Sequence, residues 1–372
     1  MPKRDDGFET IWDIGEHTIG KHRVMKAYLD GWFPVISRYA GRVLFIDGFA
    51  GPGKYKGGEE GSPVIALKAL RDHSYRPMMK AEFVFLFIEK DEPRAAVLRT
   101  EIAPIVAELG ATVKAEIVAG VFDAKMTEVL DRVADQKSRL APAFVMVDPF
   151  GVGQTPMSVI ARILENPKSE VFISYMWEWI NRFKGEPEFE TPLTELYGTV
   201  AWKEYAKYRK AEQKAFLYKL YEDQLRVAGA KHVTYFELLK GNRHVYTIFF
   251  ATKHAKGMDL MKSSIWKADN TGNYQFRGRD ECELMLDIDQ ANLKPFQREL
   301  QKAFGDADVS IEEVIEWAMG DATDYHSGHV KSALKAMEVG GIVSNVVRAG
   351  GAKRRRGTFP DGTTFHIEPA KD

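Results

Sequence analysis

The sequence predicts an α/β protein with a doubly wound, mainly parallel sheet, followed by a small helical domain that carries a β-ribbon. Continuous apolar runs recur through the first half of the chain, and amphipathic helical segments separate them. That alternation is typical of strands covered by helices on both faces of a parallel sheet. After about residue 305 the pattern changes to two short helices and two strand-like segments.

The predicted elements of the first half follow from residue periodicity. Val24, Met25, Tyr28, Leu29 and Trp32 have helical spacing in residues 16–40. Ser62 is predicted to be an N-cap, with Pro63 at the first helical position of a helix that reaches Arg71. Strands are expected at 43–47, 83–88, 112–118, 143–147 and 170–175. Further helices are expected at 92–109, at about 124–138 and after Pro156.

The middle of the chain has a different sequence pattern. Residues 190–229 are rich in Lys, Glu and Tyr, and we expect helices with a solvated face and an aromatic seam packed inward. Strands at 232–239 and 244–251 would form an antiparallel edge of the sheet, and a helix is expected at about 257–268. The sequence therefore predicts an N-terminal helical segment at 1–40 and a Rossmann-like domain at 41–290, with a helical insertion near 185–230.

The last part of the sequence predicts a winged helix-turn-helix domain at 305–372. Ser310 would cap a helix over 311–319, a second helix would span 329–338, and strands at 342–347 and 358–367 would form the ribbon. The second helix would bury Val330, Ala333, Leu334 and Met337 on one face. The ribbon surrounds four consecutive basic residues, Lys353, Arg354, Arg355 and Arg356, which are expected to contact phosphates of a nucleic acid.

Composition excludes several classes of protein. The 372 residues carry a formal net charge of −1, so a nucleic-acid surface would have to be local. The single cysteine, Cys282, excludes a disulfide framework within the chain and is expected to be an inert thiol. The nine histidines lack metal-ligand spacing, and we predict no metal. No apolar stretch is long enough to span a membrane, which leads us to expect a cytoplasmic protein.

Acidic residues follow four of the predicted strands: Asp47, Glu89, Asp123 and Asp148. In open α/β sheets ligands bind at the carboxyl ends of the strands. Glu89 is placed to accept hydrogen bonds from ribose hydroxyls, and Asp123 to meet an adenine amino group. Each acid alone could equally be a helix N-cap, but four at equivalent places are harder to explain by capping.

The loop after the first strand is rich in glycine but matches no phosphate-binding pattern. It runs from Asp47 to Gly53 and lacks the strict G-x-G-x-x-G of nicotinamide enzymes, and Tyr55 follows Lys54 where a P-loop has Ser or Thr. S-adenosylmethionine (SAM) has no pyrophosphate and suits this looser pattern. The predicted SAM-binding residues are Asp47, Gly48, Phe49, Ala50, Gly51, Gly53, Ser62, Glu89 and Asp123.

The segment Asp148-Pro149-Phe150-Gly151 after the fourth strand resembles the Asp-Pro-Pro-Tyr motif of amino-group methyltransferases. In that motif the carboxylate and a proline carbonyl accept hydrogen bonds from the target amine, and an aromatic ring stacks on the target base. By this reading Asp148, Pro149 and Phe150 are the catalytic residues. Phe replaces the second Pro and Gly the aromatic residue, which leaves the target atom open, and a simple turn after the strand is the alternative.

Together these stretches resemble the three-Cys-motif partner proteins. The resemblance is carried by His17-Thr18 with Lys21, by Phe45 to Gly53, by Gly61-Ser62-Pro63, by Phe87 to Asp91 and by Val147 to Gly151, with further similarity between Lys256 and Lys267. It implies a SAM-dependent methyltransferase similar to ribosomal RNA adenine-N6 enzymes, with Asp148 at the target amine, Glu89 at the ribose, and His17 and Lys21 lining the site. It also implies a partner protein with a three-cysteine motif. By helical spacing alone, His17 and Lys21 would more simply share a solvated face.

These observations lead us to expect a SAM-dependent methyltransferase that acts on an amino group of a nucleic acid or nucleoside-like substrate. Two alternatives stay open at this point. One is a small-molecule or protein methyltransferase that uses the winged helix for dimerisation or as a lid. The other is a non-catalytic regulator that binds SAM or DNA.

Overall fold

The structure is a computed structural model that describes residues 10–240, 243–268, 275–276, 292–351 and 353–370. The described residues form two compact units. The first unit reaches from residue 10 to His254 and includes a short strand at Gln275–Phe276. The second contains Ala255–Ala268 and the described residues from 292 onward. No helix in these ranges is long and apolar enough to cross a membrane.

The first unit is built on a mixed sheet with the strand order β3-β2-β1-β4-β5-β7-β6-β8. Strands β1 to β5 are parallel, and β7 pairs antiparallel with both β5 and β6. The predicted parallel sheet with an antiparallel edge is therefore confirmed. The strands are β1 (Arg42–Asp47), β2 (Glu82–Glu89), β3 (Val113–Ala119), β4 (Ala143–Val147), β5 (Ser169–Tyr175), β6 (His232–Lys240), β7 (Arg243–Thr252) and β8 (Gln275–Phe276).

Helices cover this sheet. The face of α1 that carries Tyr28, Trp32 and Phe33 is buried, and the Tyr28 ring lies 5.2 Å from Phe144 of β4. The Tyr28 hydroxyl donates to the Glu170 carboxylate at 2.5 Å, which ties α1 to β5. The helices of this unit are α1 (Glu16–Ile36), α2 (Ser62–Arg71), α3 (Glu92–Leu109), α4 (Phe122–Asp135), α5 (Met157–Glu165), α6 (Trp177–Phe183), α7 (Glu190–Tyr197) and α8 (Gln213–Val227).

Two predicted helix starts differ from the structure. The N-cap of α2 is Gly61 instead of Ser62, because the Ser62 hydroxyl donates to Asp47 at 2.6 Å and is not available to cap the helix. Helix α4 begins at Phe122, so Asp123 lies in its first turn instead of capping it. An acid there still interacts favourably with the positive end of the helix dipole.

The second unit consists of helices and a three-stranded antiparallel sheet with the order β10-β11-β9. Its helices are α9 (Ala255–Ala268), α10 (Lys294–Phe304), α11 (Ile311–Met319) and α12 (Val330–Val339), and its strands are β9 (Ala307–Ser310), β10 (Val343–Arg348) and β11 (Thr363–Ile367). Ser310 caps α11 in a capping box with Glu313, as its position in the sequence predicts. The predicted apolar face of α12 is buried.

Helix α9 belongs to the second unit, although the sequence pattern placed it in the sheet domain. The ammonium group of the buried Lys262 donates to the carbonyls of Ala318, Gly320, Thr323 and Tyr325. The Trp266 indole donates to the Asp324 carbonyl at 2.9 Å. Because the lysine satisfies several carbonyls after α11, it fixes α9 to that loop. Burial lowers the pKa of Lys262 to about 8.

Candidate active site at the strand ends

A cavity of about 330 Å³ opens beside the carboxyl ends of β1 and β4. Strand β1 has β2 on one side and β4 on the other, so the strand order reverses here. Such a switch point is where open α/β sheets bind ligands. The walls come from the glycine-rich loop after β1, the turn after β4 and the start of α1. The residues that line the cavity include Trp12, Lys21, His22, Phe49, Gly51, Tyr55, Asp148, Pro149 and Phe150.

Asp47 holds the glycine-rich loop in place. Its side chain is fully buried, and its two oxygens accept hydrogen bonds from the Phe49 N–H at 3.1 Å and the Ser62 hydroxyl at 2.6 Å. Burial raises the pKa of Asp47 to about 6, against the lowering effect of these two donors. The carboxylate thus joins the end of β1 to the start of α2, and the cavity is lined by the neighbouring Phe49 and Ser62.

Glu89, at the end of β2, is the second buried acid of the site. Its oxygens accept backbone N–H groups of Gly51 at 2.8 Å and Asp91 at 2.9 Å. A carboxylate has about four acceptor positions, so both oxygens keep capacity for further donors. The bond to Gly51 also ties the end of β2 to the loop that follows β1.

Glycine is required at two points of this loop. A Cβ on Gly48 would lie 2.3 Å from the Phe122 ring, so a larger residue would displace the start of α4. Gly53 has a φ of +81° and lies against Leu98 of α3, at 2.8 Å from the position of a Cβ. Both positions combine close packing with a tight turn, for which glycine is suited.

A narrow slot adjoins the main cavity and shares Phe49 and Phe150 with it. Gly48, Glu89 and Phe122 line the slot, whose volume of about 20 Å³ holds about one water molecule. The half-buried Asp123 is not among its lining residues. Asp123 is therefore the one predicted cofactor residue that neither lines a cavity nor holds the glycine-rich loop in place.

Asp148 forms an ion pair with Lys21 of α1. Lys21 is 2% exposed, and the Asp148 side chain is 27% exposed toward the cavity. Burial raises the pKa of Asp148, but the positive charge of Lys21 and its hydrogen bond outweigh this and hold the pKa below its ordinary value. The ion pair keeps the carboxylate charged and fixes its position at the cavity wall.

The structure adds His22 to the site, a residue that the sequence did not single out. His22 is 7% exposed and lines the cavity next to Lys21. Burial and the charge of Lys21 lower its pKa to about 3, so the imidazole is neutral. Its place in a helical stretch gave no signal of this role.

Trp12 is a further residue that sequence analysis missed. Its indole lies 5.9 Å from the rings of Tyr55 and Phe150 in edge-to-face contacts, and the guanidinium of the buried Arg94 lies 4.8 Å from it. The Lys56 N–H donates to the Trp12 carbonyl at 3.0 Å. The segment before α1 is thereby fastened to the glycine-rich loop and forms part of the cavity wall. Phe150 itself is 42% exposed.

The basic residues proposed as substrate contacts lie in the second unit, and their side chains have different surroundings. Arg354 forms an ion pair with Glu338 of α12, and its guanidinium lies 5.5 Å from the Phe359 ring. Lys353, Arg355 and Arg356 are exposed, and Arg356 also donates to the Glu338 carbonyl at 3.5 Å. The side chain of His17 and the whole of Cys282 lie outside the described residues.

Comparisons with solved structures find methyltransferases. The chain is similar to an O-methyltransferase from Bacillus cereus in complex with SAH, with 13% identity over 65% of this chain and 83% of that one and a TM-score of 0.34. It is similar to a precorrin-6y C5,15-methyltransferase from Geobacter metallireducens, with 8% identity over 67% of this chain and 100% of that one and a TM-score of 0.30. It is also similar to a human methyltransferase 10 domain containing protein, with 13% identity over 62% of this chain and 82% of that one and a TM-score of 0.30.

At these TM-scores the likeness carries no argument about activity. No protein-family model matches the sequence, and no curated protein matches it either. The resemblance to three-Cys-motif partner proteins therefore rests on the quoted motifs. Among the described residues, no group of three or more His, Cys, Asp or Glu side chains could hold a metal ion.

Proposed function

We propose that this protein is a SAM-dependent methyltransferase that acts on an amino group. The observation that carries the proposal is the convergence of three sequence motifs on two adjoining cavities at the switch point of the sheet. The glycine-rich loop follows β1, Glu89 ends β2, and Asp148-Pro149-Phe150 follows β4. These segments are distant in sequence and share no local reason to meet.

The residues that line the two cavities fit SAM. Glu89 would accept hydrogen bonds from the ribose hydroxyls with the acceptor positions that Gly51 and Asp91 leave open. The loop from Gly48 to Gly53 would hold the methionine side, and the slot beside Phe49 would receive the adenine ring. Since the slot holds only about one water molecule, we expect the exposed Phe150 ring to move when a nucleoside binds.

The residues after β4 would prepare the acceptor. SAM supplies an electrophilic methyl group on a positively charged sulfur. Asp148, kept ionised by Lys21, would accept a hydrogen bond from the target amine and aim its lone pair toward that methyl. The lowered pKa of Asp148 favours orientation over proton storage, so the proton that the methylated amine releases passes to solvent. Pro149 would help to position the amine and Phe150 would stack on its ring.

The finer parts of the proposal concern substrate and partners. We propose a nucleic acid or nucleoside-like substrate, because an ionised acceptor beside an exposed aromatic ring suits a planar amine. The second unit, with α11, α12 and the antiparallel strands, supports a winged helix-turn-helix reading of residues 305–372. A protein with a three-cysteine motif is the partner that the family resemblance suggests.

The test is calorimetric titration with SAM and, separately, with NAD. We expect micromolar SAM binding that Glu89→Ala weakens by at least about tenfold, because the loss of a charged acceptor for two hydroxyls costs about 1.5–3 kcal/mol. NAD should not bind measurably.

Glu116→Ala is the matched control, since Glu116 is an exposed carboxylate on the neighbouring strand β3. Its SAM affinity should equal that of the unaltered protein. A folded protein that does not bind SAM, or a Glu89→Ala variant with unchanged affinity, would remove the basis of the assignment.

A further inference from the structure

Helix α6 presents an exposed aromatic surface with cations at its edge. Trp179 and Phe183 are one turn apart, with ring centroids 5.4 Å from each other, and Trp179 is 38% exposed. Phe183 stacks on Phe189 at 4.5 Å. The exposed Trp179 ring, supported by the half-buried Phe183 and Phe189, provides a face on which a planar group can stack.

The cations of this surface lack acidic partners. Arg182 lies 5.1 Å from the Phe183 ring, and Lys184 lies 5.4 Å from the Tyr205 ring. Burial and then repulsion by the positive charge of Lys210 lower the pKa of Lys184. Within the described residues, no carboxylate forms an ion pair with Arg182, Lys184 or Lys210. An anion placed here would relieve the repulsion.

Two lysines of the helical insertion, in contrast, have acidic partners. Lys203 forms an ion pair with Glu190, and Lys207 lies 3.4 Å from Glu204. Among the described residues, the cations near α6 and those of the helical insertion therefore differ in whether a carboxylate pairs with them. The sequence predicted a solvated face for residues 190–229, and no residue of α6 was singled out.

The aromatic surface is close to the reaction cavity along the chain. Strand β5 ends at Tyr175, Met176 lines the cavity, and α6 begins at Trp177. A ligand that stacks on Trp179 can therefore extend toward Asp148 without a long intervening segment. Interleaved rings and unpaired cations fit a chain of planar bases linked by phosphates better than they fit a small amine.

We propose that the surface formed by Trp179, Arg182, Phe183, Lys184 and Lys210 binds single-stranded nucleic acid next to the methyl-transfer site. The substrate class rests on the proposed function, whereas the binding itself can be measured without it. Stacking on Trp179 and contacts of the three cations with phosphates supply the affinity.

The test is fluorescence anisotropy of the full chain with a labelled single-stranded RNA, the same DNA sequence, and its duplex. Trp179→Ala should weaken single-strand binding about tenfold, and Trp179→Phe should restore most of it. The double variant Lys184→Ala with Lys210→Ala should weaken binding and reduce the slope of log affinity against log salt by about 1.4, because two phosphate contacts are lost.

A matched variant decides the location. Lys203→Ala with Lys207→Ala removes two cations of the helical insertion and should bind nearly as the unaltered protein does. An equal loss in this variant, or no loss in the α6 variants, would overturn the proposal. SAM titration of the same samples separates the two proposals, because α6 variants should keep SAM affinity whichever way the nucleic-acid experiment comes out.

Discussion

The strand-end cavity and the basic segment 353–356 differ in how the fold brings their residues together. Glu89 and Asp148 are 59 positions apart in the sequence, yet each reaches the paired cavities at the switch point. Arg354 and Arg355 are adjacent, yet one is paired with Glu338 and the other is exposed.

The difference lies in what fixes each side chain. In a parallel sheet, the carboxyl end of every strand falls at the same edge, so topology brings distant strand ends together. In the loop before β11, no shared strand edge aligns the side chains: Arg354 and Arg356 both contact Glu338, whereas Arg355 is exposed. A contiguous run of charge therefore says less about a common site than a repeated position in the fold.

Replacing Asp148 by alanine should produce the largest effect in the cavity. We expect methyl transfer to fall at least about 100-fold, because the group that orients the amine is lost, while SAM affinity changes little. The measurement is transfer of labelled methyl to RNA, DNA and nucleosides, paired with SAM titration. Asp135→Ala, an exposed acid on α4, is the control. A parallel collapse of SAM affinity would show that Asp148 holds the cofactor instead.

Replacing Glu338 by glutamine tests the basic segment 353–356. Glu338 is 8% exposed and also accepts the Gly357 N–H at 2.8 Å, so the change leaves Arg354 without a charged partner. We expect the free energy of unfolding to fall by about 2–3 kcal/mol in urea denaturation. The double variant Lys353→Ala with Arg355→Ala should change it by less than about 0.5 kcal/mol. Similar losses in both variants would mean that the basic segment does act as one unit.

Asp47→Asn should give a smaller, pH-dependent effect. The folded carboxyl has a pKa of about 6, above the 3.8 of an unperturbed Asp, so its contribution to stability decreases as pH rises from about 4 to about 6. The asparagine variant lacks this loss. Its free energy of unfolding should therefore rise by about 1–3 kcal/mol relative to that of the unaltered protein between about pH 4 and about pH 6. Thermal unfolding at several pH values measures it, with Asp135→Asn as control. A difference that does not vary with pH would contradict the raised pKa.

Much of the fold could be predicted because strands and helices leave local patterns. The β4 run of Ala143 to Val147 is buried throughout, and its bounds agree with the prediction. Glu89 and Asp148 could be found because each ends such a run. Trp12 could not, since it precedes α1 in an irregular segment and its contacts, Phe150 and Arg94, are far along the chain.

Other features depended on tertiary contacts that compete with local preference. The Ser62-Pro63 pair is a typical helix start, but the buried Asp47 carboxylate takes the Ser62 hydroxyl and Gly61 becomes the cap. Lys262 gives no sequence signal of burial, yet it satisfies the carbonyls of the loop after α11. In both cases a buried polar group required a partner, and that requirement decided the local structure.

Hydrogen–deuterium exchange with and without saturating SAM tests the central claim most directly. The cavity account predicts slower exchange at the backbone amides of 48–53 and 89–91, including the Gly51 amide that Glu89 accepts, and no change at 353–356. Protection confined to the second unit, or none in a sample that calorimetry shows to be saturated, would contradict the assignment of the strand-end cavity as the SAM site.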